Sequence, residues 1–282
     1  MLGPAVSQLF SFTPNSIANT DTRTYIGLSK FQLNQNPKRK YRVIVPALAA
    51  VANIASPVWN KLAPESFEGD FGLDFSFLLI NLFLMSVFGL LTWRYLKTYH
   101  LDSLEIVVGL LVMLTCRYTA ICAGTPLAES LYFVVIATTL LGIRTQNSKL
   151  LLISIFLGPF AKEAFIFVAP LIFFFGHIPK LRQLLYFLIS GVLVFAFRYL
   201  FDVYAGSPPF AGLKADMGHI SNIGENLLQL FSFRGIYGLF SVVGFWLIFI
   251  VMGLRSRADR ILVFDALHLW FLVSVFVQIV LS

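Results

Sequence analysis

Charge is what this chain has least of. Charged residues occupy 12% of its 282 positions, about half the share usual in soluble domains, and mean hydropathy is +0.81. So little polar surface cannot cover so much apolar surface in water, which excludes a soluble globular fold and points to a membrane protein. Cysteine is almost missing. Cys116 and Cys122 lie six apart in one apolar run, a spacing that suits neither a zinc pair nor a disulfide staple, and they read as small buried hydrophobes. GxSxG, Walker A, HExxH and paired CxxC patterns are absent, so serine hydrolase, P-loop and zinc-protease chemistry have no support. Period-two alternation is absent too, so membrane spans here are helices and not barrel strands. The net charge of +7 is small for this length, and no segment interleaves basic and aromatic residues on a polar face. That charge reads as membrane orientation, and no nucleic-acid partner is expected.

What the chain has is long apolar runs: 73–93, 104–123, 127–143, a broken pair at 150–157 and 160–175, then 184–204, 236–254 and 261–281. They predict an all-α fold, a polytopic transmembrane helix bundle forming a single domain over 1–282. Arg94 and Lys97, Arg144 and Lys149, Lys180 and Arg182, and Arg255, Arg257 and Arg260 mark one side, cytoplasmic by the positive-inside rule. The other side then holds an outer region at 13–72, the Gly124-Thr125-Pro126 turn, the Gly158-Pro159 break and a second outer loop at 205–235. The apolar start at 1–12 is too short to span and lacks a signal peptide's basic end, so it reads as the stub of a first helix, either incomplete or resting in the interface.

Residues 24–33 predict a short amphipathic helix with Tyr25, Leu28 and Phe31 on one face. The following apolar run, 43–58, is interrupted by Pro46, Asn53 and Pro57. If it crosses the membrane, Asp21 is cytoplasmic, as Arg23, Lys30, Lys38, Arg39 and Lys40 favour; if it is re-entrant or interfacial, Asp21 joins the outer tips. Its shortness and prolines favour the second, which is the expectation taken here.

Ionisable groups at membrane depth are costly and are functional candidates by default. Arg117 and Glu129 flank the Gly124-Thr125-Pro126 turn, either as an ion pair capping a hairpin or with Glu129 contacting a sugar hydroxyl. Lys162 and Glu163 follow the Gly158-Pro159 break, paired with each other or with Arg117, or with Lys162 holding a lipid phosphate. The last set, Arg198, Asp202, Tyr204, Lys214, Asp216, His219, Glu225 and Arg234, is assigned to the long outer loop. His219 reads as a solvated loop histidine, and His177 and His268 as interfacial or packing residues.

The order of Asp21 and Tyr25, YRVIVPALA at 41–49, TPLAESLYF at 125–133 and the Lys162-Glu163 pair resembles the polytopic GT-C glycosyltransferases. The likeness is to the mannosyltransferase branch that includes the GPI-anchor second-mannose enzyme and its bacterial relatives. It covers residues 21–175; the rest matches only in being helical. The resemblance implies transfer of a sugar, a hexose such as mannose, from a polyprenyl-phosphate donor to an acceptor at the outer or luminal face. Asp21 is then the catalytic base or acceptor-positioning group. Tyr25, Arg42, Arg117, Glu129, Lys162 and Glu163 bind substrate, with Arg42 and Lys162 on the donor phosphate. The expected partners are the lipid-linked donor and membrane lipids, in a bacterial inner membrane or endoplasmic reticulum. No cofactor is expected, although outer carboxylates could recruit a divalent ion. The chain departs from the family in having Thr20 and Thr22 beside Asp21 where a second acid is common. A different class, a lipid-linked glycan flippase or transporter, or a non-catalytic subunit, is compatible with a helix broken at Gly158-Pro159 beside charges.

Overall fold

The computed structural model describes residues 19–36, 39–65, 67, 69–209 and 265–281, with isolated positions among 3–9 and 224–237. Among the described residues every regular element is a helix. Helix α1 is Asn19–Ser29. Phe31, expected on its buried face, lies beyond the helix end with φ 58° and is 81% exposed, whereas Tyr25 and Leu28 are buried. The chain then turns into α2, Ile44–Ala52, and continues through a 3-10 turn, α3 at Ser56–Trp59 and a second 3-10 turn. Nine residues of α2 rise about 13 Å, well short of a bilayer. Asn53, Ser56 and Asn60 pack against Gly72, where an added Cβ would fall 2.7 Å from Ser56 Cβ. The 53–60 part of the segment therefore packs against the first turn of the next helix.

That helix, α4, is Phe71–Lys97. Asp70 caps it, accepting a hydrogen bond from the Leu73 N–H at 3.2 Å, while Arg94 and Lys97 complement the negative end of its dipole. Then come α5, Ser103–Thr115, and α6, Arg117–Gly124. A single helix was expected over 104–123; the structure instead bends by 62° between these two. Hydroxyls take over carbonyls at the bend: Thr119 Oγ1 donates to Met113 O at 2.9 Å and Thr115 Oγ1 to Leu111 O at 2.6 Å.

Helix α7 is Glu129–Arg144 and α8 is Ser148–Ala161. The expected break at Gly158-Pro159 does not occur, because α8 runs through the proline to Ala161. Proline 159 cannot donate to the carbonyl of Ile155, and Ser190 Oγ from a neighbouring helix does so at 2.7 Å. The chain reverses at Lys162 instead, into a 3-10 turn over Glu163–Phe167 and α9, Ala169–Phe175. Near the tip, Gly158 lets the Phe165 ring close in where any Cβ would stand 2.5 Å away. At the base, Ser148 Oγ and His177 Nε2 meet at 2.8 Å. Helices α8 and α9 thus form a hairpin, where the sequence suggested one interrupted span.

Helix α10, Lys180–Tyr204, and helix α11, Ala266–Leu281, complete the described fold. Helices α4 and α10 are long and apolar enough to cross a membrane, and the bent α5–α6 pair adds a third span if it counts as one. Asn81 of α4 donates to the carbonyls of Thr125 and Leu127 at 3.1 and 3.2 Å and accepts from Ser130 Oγ, pinning the start of α7 to α4. At the far end of α7, Arg144 stacks on Tyr99 at 4.3 Å, and His268 of α11 sits 2.7 Å from the Tyr95 hydroxyl, a packing role as expected. The bundle therefore has a Glu129 end and an Arg144 end. The run at 236–254 and most of the loop at 205–235 lie outside the described residues.

Ser190→Ala should lower stability by about 1–3 kcal/mol, since it leaves the Ile155 carbonyl buried and unpaired. In a Pro159→Ala background, where a main-chain N–H returns, the same change should cost much less. Thermal unfolding of both pairs in detergent measures the difference.

Candidate functional site

Arg42 stands immediately before α2, and its guanidinium is buried at 7% exposure. Charge held out of water needs charge beside it. Glu163, first residue of the 3-10 turn at the hairpin tip, accepts from Arg42 Nε at 3.0 Å and Nη2 at 2.8 Å. Glu129, first residue of α7, accepts from Nη1 at 3.1 Å, and its other oxygen takes the Ala128 N–H at 3.1 Å. The Tyr25 hydroxyl of α1 lies 3.1 Å from the same Nη1. Burial works against the Arg42 charge, yet Glu163, Tyr25 and Glu129 more than offset it, and its pKa lies above the ordinary value. Arg198 of α10 holds the second oxygen of Glu163 at 3.4 Å.

Asp21, in the first turn of α1, forms an ion pair with Arg39. Burial pushes its carboxyl above the usual aspartate value; Arg39 and Arg42 pull it down, and Glu129 across the site pushes it up. Asp21 therefore lies at the Glu129 end of the bundle. Lys162, at the hairpin tip, places its ammonium over the Tyr132 ring at 5.6 Å and makes no salt bridge among the described residues.

A second buried knot adjoins the first. Lys40 Nζ meets Asp202 Oδ1 at 2.7 Å, with the two side chains 1% and 0% exposed. The Tyr41 hydroxyl sits 2.9 Å from both Asp202 oxygens, and Arg198 stacks on the Tyr41 ring at 4.6 Å.

Of the residues singled out in the sequence, Asp21, Tyr25, Arg42, Glu129, Lys162 and Glu163 come together. Arg117 begins α6, and its side chain lies outside the described residues. One candidate pairing is corrected: Glu163 binds Arg42 and Arg198, not Lys162; Glu129 binds Arg42. Arg198 and Asp202 were assigned to an outer loop, but α10 extends to Tyr204 and carries both. Lys214, Asp216, His219, Glu225 and Arg234 lie outside the described residues. Lys40 was read only as part of a basic cluster; an acid at 202, inside an apolar run, was the signal that a buried cation had to meet it. A concavity of about 450 Å³ between Asn60, Ala63, Phe67, Gly69, Asp70 and Phe71 lies elsewhere and includes none of these residues.

Chemically, the arrangement offers a carboxylate of raised basicity at Asp21, an ammonium at Lys162 with no carboxylate partner among the described residues, and a rigid frame around Arg42. Most of the guanidinium's donors are spent on protein acceptors. Comparison of the chain with protein-family models, curated proteins and solved structures finds no match.

Removing one partner of the Lys40–Asp202 pair should be costly, about 3–5 kcal/mol for Lys40→Met or Asp202→Leu alone. The double replacement should recover much of that loss. Unfolding midpoints of the two single variants and the double variant test it.

Proposed function

We propose that this chain is a multi-pass membrane glycosyltransferase of the GT-C kind, moving a hexose such as mannose from a polyprenyl-phosphate donor to an acceptor hydroxyl at the outer face. The observation that carries the reading is the convergence, at one end of the bundle, of Asp21, Glu129, Lys162 and Glu163 around Arg42. The opposite end carries Arg94, Lys97, Arg144, Lys149, Lys180 and Arg182, which orientation by positive charge puts in the cytoplasm. The site then faces the outer or luminal side, where a lipid-linked donor presents its sugar.

In this reading Asp21 removes the proton of the acceptor hydroxyl as that oxygen attacks the anomeric carbon. The bond from that carbon to the donor phosphate oxygen breaks, and Lys162 stabilises the negative charge gathering on the departing lipid phosphate. Glu129 orients a sugar hydroxyl. Arg42, first expected on the phosphate, is committed to Tyr25, Glu129 and Glu163, and its role is to hold the two carboxylates in place. The interrupted helix at Gly158-Pro159 that was compatible with a transporter or non-catalytic subunit is continuous as α8.

Asp21→Asn should fold and lose transfer from a polyprenyl-phosphate sugar by about 10²-fold or more; undiminished transfer by the reconstituted variant would remove Asp21 from the mechanism. The fold holds the carboxyl's pKa above its unfolded value. The protonated form is therefore the one the fold favours: this contribution to stability is present below the unfolded pKa and lost as pH rises through the folded one. Two expectations follow. The acid limb of the rate profile should lie above the ordinary aspartate range, and Asp21→Asn should not lower the melting temperature at neutral pH.

A further inference from the structure

The segment that follows Arg42 turns its apolar side outward. From Ile44 to Leu62 the backbone is α-helical or 3-10 throughout, so its main-chain polar groups are largely paired within the segment, as contact with hydrocarbon requires. Leu48, Val51, Ile54, Val58 and Leu62 recur every three or four residues and so share one side. They are between 42% and 80% exposed. On the other side Val45 and Ala49 are buried, and Asn53 and Ser56 turn toward α4: a Cβ added at Gly72 would fall 3.4 Å from Asn53 Oδ1 and 2.7 Å from Ser56 Cβ. Trp59 packs on Phe75 of α4 at 5.3 Å. Between Arg42 and Lys61 the sequence holds no charged residue.

A surface helix in water does the reverse, with its apolar stripe toward the core and its amides outside. The inversion is not neutral. Among the described residues Asn53 Oδ1 is buried and accepts no hydrogen bond, a penalty that turning the amide toward water would remove. The same rotation would cover five aliphatic side chains. With hydrocarbon outside, both preferences are reversed: an outward amide would be worse placed than one held against α4, and the aliphatic stripe meets its own kind.

The position of the segment agrees. Helix α4 is long and apolar enough to cross a membrane, and both α2 and the 53–60 part pack against it, so the stripe runs beside a span. A partner helix fits the stripe less well than lipid does. Helices associate in membranes through small residues that let backbones approach and through polar side chains that bond across, and leucine, valine and isoleucine supply neither. We propose that the outward face of the 44–62 segment is a lipid-contact surface, with Leu48, Val51, Ile54, Val58 and Leu62 touching the acyl chains of the bilayer. The inference goes beyond the transferase reading and does not depend on it.

The test uses the full chain without substitutions, in liposomes of phosphatidylcholine that carries a diazirine on one acyl chain. Light converts the diazirine to a carbene that inserts into the C–H bonds it touches, and peptide mass spectrometry locates the adducts. A parallel sample is exposed to hydroxyl radicals generated in the water, which mark the aqueous surface. Carbene labelling should be several times greater at Val51, Ile54 and Val58 than at Ala49, Asn53 and Ser56, and the three aliphatic residues should resist oxidation. The proposal is overturned if they are oxidised and escape the carbene, which places the stripe in water. It is equally overturned if they are protected from both reagents, which places the stripe under protein, a second copy of this chain included.

Discussion

A guanidinium taken out of water dictates how this bundle is put together. Arg42 is buried where desolvation would cost several kcal/mol without compensation, and compensation has to arrive from elements far away in sequence. Glu129 brings the start of α7, Glu163 brings the tip of the α8–α9 hairpin, and Tyr25 brings α1. Apolar packing between helices in a membrane sets no unique register, because lipid tails are as apolar as leucine. A charge with two geometrically defined carboxylate partners does set one. Glu129 and Glu163 are each the first residue of their helical element, so both carboxylates also sit at the positive end of a helix.

The short polar strap that carries Arg42 distributes its residues among different helices. Arg39 reaches Asp21 of α1, Lys40 and Tyr41 reach Asp202 of α10, and Arg42 reaches α7 and the hairpin. Arg198 joins the two knots, since it touches Glu163 on one side and the Tyr41 ring on the other. One basic stretch thereby ties together the elements at the Glu129 end. Arg39, Lys40 and Arg42 each meet a carboxylate of another helix, so they weigh less in the side preference that governs exposed loop charge.

The helical class and the α4 and α10 runs could be read from composition and run length, and Glu129, Lys162 and Glu163 stood out by the rarity of charge at depth, whereas Asp21, Tyr25 and Arg42 were singled out by the resemblance. What could not be read were pairings and breaks. Proline 159 looks like a helix breaker, and only a serine from α10, distant in sequence, shows why it is not. Cys116 carries no breaker signal at all, and the bend there depends on hydroxyls of Thr115 and Thr119 that serve equally well in a straight helix. Glu163 was adjacent to Lys162 in sequence and paired elsewhere, because an extended backbone at Lys162 sends the two side chains apart. Asp202 was grouped with the outer loop although the apolar run reaches 204; the helix carries the acid to a lysine that proximity in sequence could not have suggested.

Charge balance at the site bears on how it could handle a substrate. The four cations Arg39, Lys40, Arg42 and Arg198 are matched by the four carboxylates Asp21, Asp202, Glu129 and Glu163, so the frame as a whole is neutral. Among the described residues of the site Lys162 has no salt-bridge partner, and its ammonium lies over an aromatic ring. A sugar joined to a lipid through a phosphodiester brings one negative charge, which a single ammonium balances. As the sugar leaves, the phosphate gains a second charge, and the attraction to Lys162 strengthens in the transition state relative to the bound donor, which is the condition for a contact to accelerate the reaction and not merely to bind. In the transferase reading, then, the pairing of Arg42 with Glu129 and Glu163 matters twice: it fixes the carboxylates, and it keeps Arg42 from competing with Lys162 for the phosphate.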